Sequence, residues 1–203
     1  VFTTPEYQPS VKIDMKKKLF PDDYLYLNDT LCIAKIIEPI GNNDYKPSVA
    51  RWNMATEEIN PMPYEYPDLK KVRFIYAASA EHQLYVQCYT QYDLMTICDF
   101  NGNLKCNIYG PKWVNEKTQT QHYSLGVEFC GDKILALYSG GDHRTDAYYP
   151  TKFLVFDLNG NYLKTLETGY MITDFCYDKE NNRLIINLND EIQFAYLDLE
   201  GII

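Results

Sequence analysis

The sequence predicts an all-β protein, a β-propeller built of four-stranded antiparallel blades. Three observations carry this prediction: a turn motif recurs, short strand-like runs follow one another without a sustained helical period, and the recurrence interval is near forty residues. Units of four antiparallel strands at such a period are typical of propeller blades. The chain has 203 residues, of which 46% are hydrophobic, so it is long enough to bury a real core.

The recurring turn motif appears twice in nearly the same form, at residues 99–103 (DFNGN) and 157–161 (DLNGN). Asn-Gly between alternating apolar runs is a strong hairpin signal, and it predicts type I′ turns, in which both central residues have positive φ. A degenerate third copy lies at residues 198–201 (DLEG). The interval between the first two copies is the longer one because it contains residues 140–146, which are predicted to form an inserted loop.

The strand-like runs group into four approximate blades, at residues 20–66, 72–110, 123–168 and 170–203. The last three blades contain predicted strands at 72–78, 83–90, 93–100, 103–109, 124–129, 133–138, 151–158, 162–166, 172–177, 183–188 and 191–197.

The first blade is a poorer copy with a hairpin at residues 51–58. The last blade lacks an outer strand, which residues 10–15 could supply. The prediction is one propeller domain over residues 1–203, or the C-terminal part of a larger propeller.

Charge composition argues against nucleic acid as a partner. Nineteen Lys and Arg stand against 28 Asp and Glu, which gives a formal net charge of −9, whereas recognition of phosphate backbones needs clustered basic residues. The only basic run is three lysines at residues 16–18. No apolar stretch approaches the roughly 20 residues that a membrane-spanning helix needs, so no transmembrane segment is expected.

The six cysteines are predicted to be small, buried core residues with reduced thiols. None forms a Cys-x-x-Cys pair and the three histidines are scattered, so a zinc site built from ligands close in sequence is not expected. Cys98 and Cys106 fall on facing arms of one hairpin, but the predicted register makes them diagonal. A disulfide between them is therefore not expected.

Two segments near the C-terminus resemble a known family: residues 153–164 (FLVFDLNGNYLK) and 172–187 (ITDFCYDKENNRLIIN). They are similar to the TolB-like six-bladed β-propellers of Bacteroides-type bacteria, over roughly residues 72–201. The resemblance implies export to the cell envelope, in the periplasm or at the outer membrane, commonly with an N-terminal lipid anchor that would lie outside this chain. It also implies no established enzymatic activity. Because this chain is too short for six blades, further N-terminal blades are expected beyond it.

The insertion at residues 140–149 is the first candidate binding site. It carries polar and aromatic side chains on a loop between two strands, a common place for recognition. Arg144 could pair with a ligand carboxylate through two hydrogen bonds, and tyrosines could stack on a sugar or peptide ring. The candidate residues are Asp142, His143, Arg144, Asp146 and Tyr148; the alternative is an ordinary exposed hairpin tip.

The mouth of the central channel is the second candidate site. If residues 72–78, 124–129 and 172–177 form inner strands, the residues at their entrances face one opening. This places Arg73, Tyr123, Tyr170 and Asp174 as candidates to hold a small polar ligand. The alternative is that these side chains pack between blades or are solvated.

The sequence motifs give little support for a catalytic site or a metal-binding site. The DxNGN motif looks like the start of a calcium loop, but an EF-hand needs a bidentate carboxylate at the twelfth position, where Gly110 and Thr168 stand. No Gly-x-Ser-x-Gly elbow occurs. No catalytic residue, metal ligand or cofactor is therefore predicted, and a calcium ion at the channel mouth is the one alternative kept open.

The leading functional hypothesis is a non-enzymatic binding or scaffold module of the cell envelope, which recognises a protein, peptide or glycan through a propeller face. The first alternative is a metal-dependent hydrolase or lactonase-like propeller with its site at the channel mouth. It would require Asp, Glu, Asn or His side chains that converge from inner strands, and only Asp174 clearly qualifies in the sequence. A purely structural propeller domain of a larger protein is the third hypothesis.

Overall fold

The computed structural model describes residues 2–3, 8–9, 19–41 and 44–203, and in these ranges the regular secondary structure is almost entirely β-strand. The chain divides into two compact units, residues 1–66 and 67–203. The one helical element of the described residues is a short 3-10 helix, Asp146–Tyr148. Residues 10–15, the predicted outer strand of the last blade, lie outside the described residues.

The first unit contains a short hairpin of β1 (Phe2–Thr3) and β2 (Gln8–Pro9) and one four-stranded antiparallel sheet. The sheet follows chain order, with Trp52 buried in its apolar cluster. The hairpin between the last two strands spans Asn53 and Glu58, as the sequence predicts. The strands are β3 (Phe20–Tyr26), β4 (Leu31–Gly41), β5 (Asp44–Asn53) and β6 (Glu58–Pro61).

The second unit contains three antiparallel sheets, each of which also follows chain order. We call them blades C, D and E. Blade C is formed by β7 (Phe74–Ser79), β8 (Leu84–Tyr89), β9 (Leu94–Asp99) and β10 (Leu104–Tyr109). Blade D is formed by β11 (Thr120–Cys130), β12 (Lys133–Asp142), β13 (Lys152–Asp157) and β14 (Tyr162–Glu167). Blade E is formed by β15 (Ile172–Asp178), β16 (Arg183–Leu188) and β17 (Phe194–Asp198).

Blade D lies between blades C and E, and its first strand β11 contacts both β7 and β15. Alternate residues along one strand point to opposite faces of a sheet. Ile134 and Ala136 of β12 accordingly pack against blade C, whereas Leu135 and Leu137 pack against blade E. Both faces of β12 are buried, and for this reason its sequence contains a continuous apolar run.

The two DxNGN turns share one hydrogen-bond pattern, but they are not the predicted type I′ turns. In each turn only the glycine has a positive φ, 78° at Gly102 and 85° at Gly160. The Gly102 N–H donates to Asp99 O at 2.9 Å, and the Asp99 N–H donates to Asn103 O at 3.0 Å. This is the pattern of a type I turn followed by a bulge that requires glycine.

The inserted loop of blade D begins later than predicted, because β11 and β12 pair as far as Thr120 and Asp142. Gly141 lies in the paired strand, where a Cβ atom would meet the Ala147 carbonyl oxygen at 1.9 Å. The Ser139 hydroxyl donates to that same oxygen at 2.6 Å and accepts from the Gly141 N–H at 3.0 Å. The insertion therefore folds back onto β12 as a tightly bonded loop.

All six cysteines are free thiols, but they are not all buried. Cys32, Cys88, Cys98 and Cys130 are buried, whereas Cys106 is half-buried and Cys176 is exposed. Cys98 lies opposite Leu104 and Cys106 opposite Ile97, the diagonal arrangement that the sequence predicts. The prediction that every cysteine is a core residue is wrong for Cys176, because it points to the face of β15 opposite to that of Phe175, which packs on Phe153 of blade D.

Candidate functional site

A polar pocket of about 350 Å³ opens at one end of blades C and D, and it concentrates positive charge. Arg73, Lys117 and His143 contribute cationic or ionisable side chains, all of them exposed. Gln91 and Gln121 add two amides, and Thr90 completes the lining. We call this group of six residues the cationic pocket.

Blade C positions its share of the pocket through the ends of neighbouring strands. Arg73 directly precedes β7, and Thr90 directly follows β8. Because these strands are antiparallel neighbours, the start of one lies beside the end of the other. The Thr90 N–H donates to Arg73 O at 2.9 Å and its hydroxyl donates to the same oxygen at 3.2 Å.

The segment that carries Lys117 is fixed to blade C by Thr118. The Thr118 N–H and hydroxyl both donate to Gln91 O, at 3.2 and 3.1 Å. The Gln91 side-chain amide donates in return to Thr118 O at 3.2 Å. These reciprocal bonds hold the backbone next to Lys117 in place while its ammonium group reaches solvent.

His143 joins the inserted loop to the start of β11. Its backbone N–H donates to Gln119 O at 3.1 Å, and its ring nitrogen Nδ1 lies 2.9 Å from the same oxygen. Since a carbonyl oxygen only accepts, Nδ1 carries a proton in this arrangement. In the neutral ring, Nε2 is then left as an acceptor, and in the charged ring it is a second donor.

A buried network of polar side chains lies next to the pocket, and sequence reasoning missed it. Asp93 accepts from the Lys112 N–H at 2.9 Å and from the Tyr138 hydroxyl at 3.3 Å. His122 Nδ1 lies 3.3 Å from the Tyr138 hydroxyl oxygen and 3.7 Å from Asp93 Oδ1. The side chains of His122 and Asp93 are 1% and 0% exposed. The sequence does give a sign of His122 and Asp93, because each is a polar residue that interrupts or flanks an apolar strand.

This network connects to the pocket through the backbone, because the His122 N–H donates to Thr90 O at 2.8 Å. Burial lowers the pKa of His122 and outweighs the nearby Asp93, which raises it. Burial and the Asp93 charge together raise the pKa of the Tyr138 hydroxyl. The interior therefore favours a neutral imidazole and a protonated phenol beneath a cationic surface.

Of the predicted loop residues, only His143 lines the cationic pocket. Arg144 is engaged within its own loop, since its Nε and Nη2 donate to the two Asp142 carboxylate oxygens at 3.0 and 2.6 Å. Asp146 begins the 3-10 helix, and Tyr148 packs on Tyr149 with ring centroids 4.2 Å apart. The contacts of these residues stabilise the loop itself.

The predicted channel-mouth residues do not gather at one opening. Arg73 lies in the cationic pocket, but Tyr123 is 1% exposed and packs edge-to-face on Tyr138 in the core between blades C and D. Tyr170 borders a different cleft, beside blade E. Asp174 is exposed on β15 and accepts from the Phe175 N–H at 2.8 Å. For Tyr123 the observed contact fits the alternative of packing between blades, and the register of β11 shifts on both sides of this residue.

Asp174 has one acidic neighbour on an inner strand, Glu128 of β11. Burial and the Asp174 charge raise the pKa of Glu128 to about 7. Within the described ranges, no group of three or more His, Cys, Asp and Glu side chains is placed to hold a metal ion. The charge of Glu128 is therefore sensitive to pH near neutrality.

Solved structures with similar folds come from bacteria. The extracellular domain of a putative one-component system from B. thetaiotaomicron superposes with a TM-score of 0.56 at 10% identity, over 89% of this chain and 21% of that chain. The chain belongs to the β-propeller fold class. The ordered antiparallel blades and their packing through β11 fit this class.

Two further structures match with lower scores. A Bacteroides caccae protein of unknown function has a TM-score of 0.48 at 16% identity, over 74% of this chain and 50% of that chain. BamB from Moraxella catarrhalis has a TM-score of 0.49 at 12% identity, over 81% of this chain and 39% of that chain. The chain thus spans about half or less of the length of each of the three structures.

No protein-family model matches the sequence, and no curated protein matches it. Across the part of the chain that the structure describes, no helix has the length and apolar character needed to cross a membrane. The comparisons therefore support the fold class alone.

Proposed function

We propose that this chain is part of a non-enzymatic binding module of the cell envelope, and that its cationic pocket recognises an anionic group on a protein, peptide or glycan. The observation that carries the proposal is the convergence of Arg73, Lys117 and His143 in one pocket. The chain as a whole has a net charge of −9. A cationic site on such an acidic protein is a local exception to the surrounding charge.

The chemistry of the lining favours a carboxylate, sulfate or phosphate group. A guanidinium group binds two oxygens of such an anion at once, and an ammonium group adds a point charge. The amides of Gln91 and Gln121 offer both donors and acceptors, which suits neighbouring hydroxyl groups. A volume of about 350 Å³ lies at the small end of the range for ligand pockets, so it suits one sugar acid or one acidic side chain.

The cell-envelope location rests on two supports. The resemblance of residues 153–164 and 172–187 to TolB-like six-bladed propellers implies an exported protein, commonly with a lipid anchor. The B. thetaiotaomicron structure with the shared fold is an extracellular domain. In this proposal the chain forms the C-terminal blades of a larger six-bladed propeller.

The test is calorimetric titration of the protein with D-glucuronate and with inorganic phosphate at low ionic strength. Saturable binding of either anion is expected, with neutral D-glucose as the ligand control. Arg73→Gln and Lys117→Gln should each weaken binding about tenfold or more, because a hydrogen bond to a charged group contributes roughly 1.5–3 kcal/mol. Lys105→Gln removes an equal charge from an exposed position on β10 and should leave the affinity unchanged.

Two outcomes would contradict the proposal. The first is the absence of saturable binding for both anions. The second is an equal loss of affinity in Lys105→Gln and Lys117→Gln, which would mean that the anion responds to total charge and not to the pocket. Binding that disappears at about 0.5 M salt in every variant alike would support that second outcome.

A further inference from the structure

Among the described residues, the outer edge of blade E is unpaired; residues 10–15, which the sequence suggests for this place, lie outside them. Blades C and D contain four strands each, whereas blade E contains three, and β17 pairs within the described residues with β16 alone. An edge strand presents a row of unpaired N–H and C=O groups to any chain that approaches it in an extended conformation. This edge is separate from the cationic pocket and does not depend on the proposed function.

The register of β17 identifies which backbone groups face outward. The Leu188 N–H donates to Gln193 O at 2.7 Å, and the Leu199 N–H donates to Asn182 O at 3.0 Å. Because hydrogen-bonded and non-bonded pairs alternate in an antiparallel ladder, Ala195 and Leu197 bond to β16. The N–H and C=O groups of Phe194, Tyr196 and Asp198 therefore point to the free edge.

An apolar cleft of about 470 Å³ borders this edge, between β14 of blade D and β17. Its walls come from the outer strand of blade D and the last strand of blade E. Its apolar lining is Leu166, Ile186, Leu188, Ala195, Leu197 and Ile202. Two aromatic residues of the edge strand are strongly exposed, Phe194 at 69% and Tyr196 at 67%, and Tyr196 also borders the cleft.

The charge around the edge is acidic. Asp190 and Glu191 precede β17, Asp198 and Glu200 lie at its other end, and Glu167 lines the opposite wall of the cleft; all are exposed. Two cations that the structure describes near the edge are already engaged. Arg183 donates to Asp178 at 2.9 Å and lies over the Tyr196 ring at 5.5 Å, and the Lys164 ammonium donates to Ile202 O.

We infer that β17 is a docking edge for an extended segment of a partner protein, which adds to blade E as a fourth strand. The segment alternates apolar residues, which enter the cleft, with Lys or Arg residues, which face Tyr196, Phe194 and Asp198. Main-chain hydrogen bonds supply affinity in such strand addition, and the alternating side chains supply specificity. Cross-strand pairing with carboxylates and cation–π contact with the exposed rings favour basic over acidic residues.

The test uses fluorescence anisotropy with a labelled hexapeptide, VKVKVK, and the full chain. Tyr196→Pro removes the outward N–H at the centre of the edge, whereas the matched control Tyr196→Ala removes the ring and keeps the N–H. Proline is tolerated on edge strands, and thermal unfolding checks that both variants fold. We expect Tyr196→Pro to weaken binding at least tenfold relative to Tyr196→Ala, and the acidic peptide VEVEVE to bind at least tenfold more weakly than VKVKVK.

A second measurement replaces the protein variant if Tyr196→Pro fails to fold. Two peptides carry N-methyl groups, one on every valine and the other on every lysine. Since only alternate amides of an added strand face β17, one peptide should lose binding and the other should keep it. Equal binding by both peptides, or equal affinities of Tyr196→Pro and Tyr196→Ala, would overturn the inference. So would a wild-type dimer that dissociates in Tyr196→Pro, because the edge would then belong to a second copy of this chain.

Discussion

Gly110 leaves the space that the buried carboxylate of Asp93 occupies. A Cβ atom at position 110 would meet Asp93 Oδ1 at 2.1 Å and Cγ at 2.2 Å, and the Gly110 N–H donates to Asp93 O at 2.8 Å. Asp93 cannot move aside freely, because its Oδ2 accepts from the Lys112 N–H. Glycine at this position is therefore a packing requirement, and it keeps the segment after β10 on top of the buried network.

Gly110→Ala should lower the free energy of unfolding by about 1–3 kcal/mol, the usual cost of adding atoms to a packed site. Urea denaturation followed by tryptophan fluorescence measures the change. Gly41→Ala is the matched control, since an added Cβ at position 41 meets nothing within 4 Å. Equal destabilisation of the two variants would show that the contact with Asp93 carries no particular cost.

Asp99→Ala should lower the free energy of unfolding by about 1–2 kcal/mol at neutral pH. The Asp99 carboxylate accepts from the N–H groups of Asn101 and Asn103, both at 2.8 Å, and from the Asn103 side-chain amide at 2.8 Å. Asp157 bonds in the same way in the second turn. Urea denaturation of Asp99→Ala beside Asp23→Ala, an exposed change on β3, gives the comparison.

The pH dependence of this effect has a defined sign. The Asn103 amide and the backbone N–H groups of the turn lower the pKa of Asp99. The turn's contribution to stability is then complete above the unfolded pKa of about 4 and is lost as the pH falls below it. The difference between wild type and Asp99→Ala should shrink from pH 6 to pH 3, and a constant difference over this range would contradict the assignment.

Glu128→Gln should stabilise the protein in alkaline solution. Because burial and Asp174 raise the pKa of Glu128 to about 7, the folded state binds a proton more tightly than the unfolded state does. Stability is therefore greatest below the unfolded pKa of about 4.3 and is lost as the pH rises through about 7. The variant avoids this loss, so its free energy of unfolding should exceed that of the wild type by up to about 3 kcal/mol at pH 8. The difference should vanish near pH 4.

Unfolding curves at several pH values measure this advantage. Glu116→Gln changes the net charge by the same amount at an exposed position and serves as the control. An advantage of Glu128→Gln that does not change with pH would mean that packing of the amide, and not the ionisation of Glu128, causes it.

Cys176 should be the fast-reacting thiol of the native protein. It is the one exposed cysteine of the six. Burial raises the pKa of Cys88 and Cys98, to about 11 for Cys98, and so suppresses their thiolate forms. Titration with DTNB should give one rapid equivalent, which Cys176→Ser removes and Cys106→Ser keeps; a rapid phase that survives in Cys176→Ser would place the reactive thiol elsewhere.

The amino-acid sequence by itself determined the strand succession and the antiparallel fold. Alternating apolar runs and the repeated DxNGN turns depend on interactions between residues that are close along the chain. For that reason the predicted strands at residues 183–188 and 103–109 lie within a residue of β16 and β10. The turn type was wrong even so, because the aspartate carboxylate stabilises a bulged turn in place of the type I′ turn.

The tertiary structure alone decided which side chains share a site. Arg73 and His143 were predicted for two different sites, and the packing of blade C against blade D puts them in one pocket with Lys117. Tyr123 was a candidate either for the channel mouth or for packing between blades, and it lies in the core cluster of blades C and D. The local sequence determines which strand a residue belongs to. It does not determine which residues of other blades it contacts, because those contacts follow from the twist, the bulges and the register of whole sheets.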